Sequence, residues 1–218
     1  MLEQNLKLPL EYKINYPKNE PKDVSIIFLL HGYGANMADL FLLHQFFPKN
    51  FITISLQAPI SLGHQSWAWS KIDFSDINTI LNPIDSQNGN KLIIDSIDKI
   101  ANNLSVKPNK IYLAGFSQGA SLAVYCGLKN PNKFQGVISL CGYFSKKHMS
   151  DTADNNFSGL NILVCNSVFD HLIPIKLGRD TKNLLKSLGV NLEYNEYDSG
   201  HGISNECLND FIDWILIN

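Results

Sequence analysis

Apolar and polar positions along the chain sort into two kinds of segment. Short runs, almost wholly apolar and rich in branched side chains, recur at residues 24–30, 51–56, 110–114, 136–140 and 160–165, each closed by Gly, Pro, Asn or Ser. Runs of this kind read as strands buried on both faces. Longer segments separate most of them and carry apolar residues at helical spacing: Leu92, Ile93, Ile97, Ile100 and Leu104 in one, Leu177, Leu184, Leu185 and Leu188 ahead of Gly189 in another. Residues 191–197 read as a further strand, and Phe211, Trp214 and Ile215 as the buried stripe of a closing helix. Near the start, Leu10, Tyr12, Ile14 and Tyr16 alternate with polar residues before Pro17, as in a half-exposed edge strand. The alternation predicts an α/β fold: a mostly parallel sheet of about seven strands with helices on both faces. Residues 60–89 fit neither pattern. They mix Gly63, Pro83 and Gly89 with Trp67, Trp69 and Phe74, and irregular segments of that length in compact domains commonly serve as lids or binding loops.

Composition narrows the picture. With 218 residues, 44% hydrophobic and 17% charged, the chain can build one sizeable core, so a single domain over residues 1–218 is expected. Eighteen Lys plus Arg against twenty Asp plus Glu give a net charge of −2, without the basic excess that nucleic acid attracts. Arg179 is the only arginine, which argues against phosphate clamps built on guanidinium forks. Cys126, Cys141, Cys165 and Cys207 are widely spaced, form no C-x-x-C pair and suggest no metal site. The first ten residues lack a secretory signal pattern, and the longest apolar run, residues 26–30, cannot span a bilayer. A cytoplasmic protein without a transmembrane segment is the expectation.

The sharpest chemical feature is Gly115-Phe116-Ser117-Gln118-Gly119, which follows a predicted strand and opens a helical stretch, residues 120–128. This is a G-x-S-x-G elbow in its required context, where flanking glycines permit a tight strand-to-helix turn. A chance glycine-rich turn is the plain alternative, and the strand before and helix after weigh against it. The turn exposes the Ser117 hydroxyl at a helix N-terminus, where free N–H groups favour developing negative charge.

A serine hydroxyl needs a base, and the base needs an orienting acid; in this architecture they follow the serine in the order acid, then histidine. His148, His171 and His201 lie downstream. His201, in a loop just after the strand 191–197, is best placed; His148 lies in a polar stretch that reads as a solvated loop, and His171 comes too early. For the acid, Asp170 follows the strand 160–165 by a short loop, repeating the placement of Ser117, whereas Asp151 and Asp154 precede that strand and Asp198 reads as a turn cap. Oxyanion donors are expected from the Gln118 N–H and from His31-Gly32-Tyr33-Gly34, with the Tyr33 N–H as the choice. His31 itself reads as a packing and hydrogen-bonding residue below the site. Neither G-x-x-x-x-G-K-[ST] nor G-x-G-x-x-G occurs, so a nucleotide loop is not indicated.

From about Val24 to the C-terminus, the chain resembles the phospholipase/carboxylesterase family of α/β-hydrolases, which includes bacterial carboxylesterases and acyl-protein thioesterases. The resemblance rests on residues 30–35 (LHGYGA), on Ala58-Pro59 before a tryptophan-bearing segment, on residues 115–120 (GFSQGA), on residues 170–174 and on Gly200-His201. It implies Ser117, Asp170 and His201 as triad, and backbone N–H groups of Tyr33 and Gln118 as oxyanion hole. Departures are Tyr33 where leucine is common, and Asn166-Ser167 where His-Gly is common. The implied activity is hydrolysis of carboxylic esters or thioesters through an acyl-enzyme, without cofactor or metal. The substrate would be a small acyl ester or thioester, a lysophospholipid or an acylated protein, and a homodimer is the oligomer the resemblance allows. Residues 60–89 would cover the site without a separate cap domain, with Trp67, Trp69 and Phe74 as candidate walls of an acyl pocket. Rivals are a dienelactone-hydrolase-like enzyme, disfavoured by serine at the elbow, a peptidase, and a catalytically silent binding module.

Overall fold

A computed structural model describes residues 6–17, 23–76, 79–104, 107–149 and 156–218. Seven strands form one sheet: β1 (Tyr12–Asn15), β2 (Ser25–Leu30), β3 (Phe51–Leu56), β6 (Lys110–Phe116), β7 (Gly136–Leu140), β8 (Asn161–Ser167) and β9 (Asn191–Tyr197), in the order β1-β3-β2-β6-β7-β8-β9. Only β1 runs antiparallel, pairing Tyr12 with Leu56 along β3. The remaining pairs are parallel, so the carboxyl ends of β2, β6, β8 and β9 lie along one edge of the sheet.

The pleat divides each central strand between two cores. Ile26, Phe28 and Leu30 of β2, Leu113 of β6 and Ile162 and Val164 of β8 face one layer, with α1 (Pro83–Asn103), α2 (Gln118–Lys129) and α3 (Ile175–Ser187) packed there. Ile27 and Leu29, Tyr112 and Ala114, and Leu163 and Cys165 face the other, against α4 (Asn205–Ile217) and a 3₁₀ segment, Leu40–Gln45. Every residue of β2 and β3 is buried, so β2 is apolar after Ser25 and β3 buries Thr53 and Ser55 between its apolar residues. α2 is buried from Gln118 through Leu128, which is why it shows no polar face. All four cysteines are free and buried.

Two differences from the sequence reading fall within residues 60–89. α1 begins at Pro83, capped by the Asn82 side chain accepting from the Asp85 N–H, so the last seven residues of that stretch are helix and not covering loop. Its first turns, PIDSQNGN, are too polar to show a helical stripe. Upstream, β4 (Ile60–Gly63) and β5 (Ser66–Ala68) form a small antiparallel hairpin. Its two-residue turn, His64-Gln65, has φ of 47° and 58°, a conformation normally signalled by Asn-Gly and therefore hidden in the sequence.

Candidate active site

The elbow begins where β6 ends. Ser117 has φ 54° and ψ −116°, a sparsely populated conformation that costs on the order of 1–3 kcal/mol and persists only where the surroundings enforce it. They do so through close backbone packing: a Cβ on Gly115 would collide with the Gly119 carbonyl, and one on Gly119 with the Leu30 and His31 carbonyls. The Ser117 N–H donates to the Leu140 carbonyl at 2.8 Å, fastening the elbow to the end of β7.

Loops after β8 and β9 bring two further groups to this hydroxyl. His201 Nε2 lies 3.0 Å from Ser117 Oγ, and His201 Nδ1 lies 2.6 Å from Asp170 Oδ2. The Asp170 side chain is 1% exposed, and its Oδ1 accepts the N–H groups of Leu172 and Ile173, both at 2.8 Å. With Asp170 accepting at Nδ1–H, the free lone pair of neutral His201 is on Nε2, facing Ser117. The loops holding acid and base are tied to each other: Ser167 Oγ is 2.8 Å from Ser199 Oγ, the Phe169 N–H donates to the Ser199 carbonyl at 3.0 Å, and the Cys141 thiol donates to the Gly202 carbonyl at 3.3 Å. The Phe116 ring, 4.9 Å from that of His201, flanks the imidazole.

The turn after β2 passes beside the nucleophile, since a Cβ on Gly32 would lie 3.4 Å from Ser117 Cβ. Among the described residues, neither the Tyr33 N–H nor the Gln118 N–H donates to a protein acceptor. Beneath this turn His31 is fully buried; its Nε2 accepts from the Ala58 N–H at 3.1 Å while Nδ1 lies 2.8 Å from the Gly32 carbonyl. Burial lowers its pKa to about 4, so near neutral pH the ring is uncharged and serves as a hydrogen-bonded strut, as its sequence position suggests.

A cavity of about 410 Å³ opens over Ser117 and His201, with Ile72, Phe74, Ile80, Leu172 and Ile173 among its walls. Of the three aromatic residues expected to form an acyl wall, Phe74 alone lines it, 79% exposed and edge-on to the Tyr33 ring at 5.5 Å. Trp69 does not. It is 1% exposed, its Nε1–H donates to the His31 carbonyl at 2.9 Å, and its ring packs near that of His31. Trp67 is also no wall residue: its backbone pairs with Ala35 and Gly34, and its ring packs against the core. A contribution that sequence reasoning missed is the Gln118 side chain. Fully buried, it accepts the Trp69 N–H at 2.9 Å and donates to the Ser70 and Ile80 carbonyls at 2.7 and 2.9 Å, pinning the covering segment to the elbow.

Other candidate residues lie elsewhere. His148 is buried against Tyr143 and Phe144 in a 3₁₀ turn, not solvated, because its Nδ1 accepts the Ser145 N–H. His171 is exposed on the cavity rim, and Asp198 is exposed. Asp151 and Asp154 lie outside the described residues. Among the described residues no group of three or more His, Cys, Asp or Glu side chains is gathered to hold a metal ion, and no helix is long and apolar enough to cross a membrane.

The model of the phospholipase/carboxylesterase family matches residues 12–218. The chain belongs to that family. Curated relatives include acyl-protein thioesterase 1 of Candida albicans, 30% identical over 120 residues (52% of this chain and 52% of that one). Acyl-protein thioesterase 1 of Emericella nidulans is 25% identical over 135 residues (58% and 54%). The chain thus spans about half the length of the curated relatives it matches. Among solved structures, a carboxylesterase from Mesorhizobium loti superposes with a TM-score of 0.83 at 17% identity, covering 99% of this chain and 98% of that one. Zea mays acyl-protein thioesterase 2 gives 0.71 at 24%, covering 95% and 98%. At these identities the structural likeness establishes the α/β-hydrolase fold, and the family membership rests on the sequence model.

Proposed function

We propose that this family member is a serine hydrolase that cleaves carboxylic esters or thioesters through an acyl-enzyme, with Ser117, His201 and Asp170 as nucleophile, base and orienting acid. The observation that carries the reading is the continuous hydrogen-bonded path from Ser117 Oγ to His201 Nε2 at 3.0 Å and from His201 Nδ1 to Asp170 at 2.6 Å. His201 removes the hydroxyl proton as Ser117 Oγ attacks the substrate carbonyl carbon. The resulting oxyanion is received by the free N–H groups of Tyr33 and Gln118. Collapse expels the alcohol or thiol, which takes the proton from His201. A water, deprotonated by His201, then attacks the acyl carbon and returns Ser117 with release of the acid. Asp170 stays ionised throughout and holds the imidazole in the tautomer that presents Nε2 to the serine. The apolar cavity supports an acyl chain lying against Ile72, Ile80 and Phe74.

Labelling with a fluorophosphonate probe tests the reading. Wild-type protein is expected to label covalently and to hydrolyse short p-nitrophenyl esters, and Ser117→Ala to do neither. Folded wild-type protein that neither labels nor turns over would refute it.

A further inference from the structure

A second, smaller cavity of about 250 Å³ lies beside the one over Ser117, lined by Asp39, Leu40, Leu42, Leu43, Phe116 and Ile203. The two share Asp39 and Phe116. The site therefore has two apolar arms that meet beside His201, one walled by Ile72, Phe74 and Ile80 and one by leucines of the Leu40–Gln45 segment and Ile203. An acyl ester also has two parts, divided at the carbonyl carbon that Ser117 attacks.

Of the two residues the cavities share, Asp39 is the ionisable one. Among the described residues no side chain donates to the Asp39 carboxylate, which caps neither the 3₁₀ segment it precedes nor any other N–H. Asp39 is exposed on its solvent side, and desolvation by the cavity walls with no partner to compensate raises its pKa. Neither cavity is lined by a lysine or an arginine, and the single guanidinium, Arg179, is engaged in a two-point bond to Glu196. Asp73, on the wall of the larger arm, is held below the usual carboxylate range by the Ser75 hydroxyl and N–H. Before His201 takes a proton, the charge that the described cavity walls present at the junction is thus negative, with no lysine or arginine among them to offset it.

We propose that the smaller arm is the leaving-group subsite, and that Asp39 there selects alcohols or thiols bearing a positive charge over neutral and anionic ones. The inference rests on the hydrolase reading above and extends it to the part of the substrate that departs. Asp39 acts as a counter-charge on the wall shared by the two arms, while Leu42, Leu43 and Ile203 accept the apolar body of the leaving group. An anionic leaving group meets like charge without relief.

Three butanoyl thioesters that differ in the thiol alone test it: those of thiocholine, of 3,3-dimethylbutanethiol as its neutral isostere, and of 3-sulfanylpropanoate. The released thiol is followed with a chromogenic disulfide. Wild-type kcat/KM is expected to be about tenfold higher for the cationic than for the neutral thioester, and about tenfold lower again for the anionic one. In Asp39→Asn the cationic-to-neutral ratio should collapse to within about threefold, and in Asp39→Glu it should persist. A wild-type ratio near one, or a ratio unchanged in Asp39→Asn, overturns the subsite. If all three thioesters are cleaved equally and Ser117→Ala abolishes cleavage, the subsite alone falls. If none is cleaved, the hydrolase reading falls and this inference with it.

Discussion

The two flanks of Ser117 are built in different ways. On the His201 side, every group sits on a short loop at a strand end; the Asp170 loop is folded on itself by the Leu172 and Ile173 N–H groups, and the loops are cross-tied by Ser167 and Phe169 with Ser199 and by Cys141 with Gly202. On the covering side, the hairpin pairs through Trp67 with Gly34 and Ala35 of the turn after β2, and residues 69–82 are tied to the elbow by one glutamine, Gln118, and to that turn by one indole, Trp69. The first flank fixes a proton path to within a hydrogen bond. The second fixes a wall. The proton path depends on ties among loops at the strand ends, the wall on ties centred on Gln118, Trp67 and Trp69.

The largest expected effect breaks the first flank. Asp170→Asn keeps the shape but favours the tautomer that turns an N–H toward Ser117, and kcat should fall by about 10⁴-fold with little change in KM. A second effect concerns the joint between the flanks. His31, whose carbonyl receives Trp69 Nε1–H, has a folded pKa of about 4, against roughly 6.5 for an unfolded histidine. Between those values the unfolded chain binds a proton that the folded one refuses, so this contribution to stability is whole above about pH 6.5 and is lost as pH falls through about 4. It amounts to about 3 kcal/mol. Urea midpoints should drop over that window, and the His31 ring resonances should not titrate until about pH 4. The smallest effect loosens the second flank. Gln118→Met leaves the Trp69 N–H and the Ser70 and Ile80 carbonyls without partners, costing about 1–3 kcal/mol and speeding protease cleavage within residues 60–82. A fall in kcat as large as that of Asp170→Asn would show that the flanks are not separable.

The same contrast governed what could be read from the chain. Strands β2, β3, β6, β7 and β8 were visible because burial on both faces leaves few polar interruptions, and Ser117 and Asp170 stood out as candidates because each follows such a strand, His201 because it follows the more polar β9. The covering segment hid its order for physical reasons. The His64-Gln65 turn uses positive φ without Asn or Gly, the start of α1 is polar, and Trp69 looks like a ligand-facing aromatic until its indole N–H is seen spent on the His31 carbonyl. Gln118 shows the limit most clearly, since its proposed backbone role follows from the elbow motif, whereas its side-chain contacts depend on carbonyls 38 and 48 residues away.

In the proposed reaction Ser117 carries the acyl group between two half-reactions. Rapid mixing with a p-nitrophenyl ester, acid quench and peptide mass mapping addresses it directly. The expected result is a burst of about one p-nitrophenol per protein molecule, with the acyl group on Ser117. Steady turnover with no acylated peptide, or with the acyl group on Ser121, Ser167 or Ser199 instead, would contradict the account.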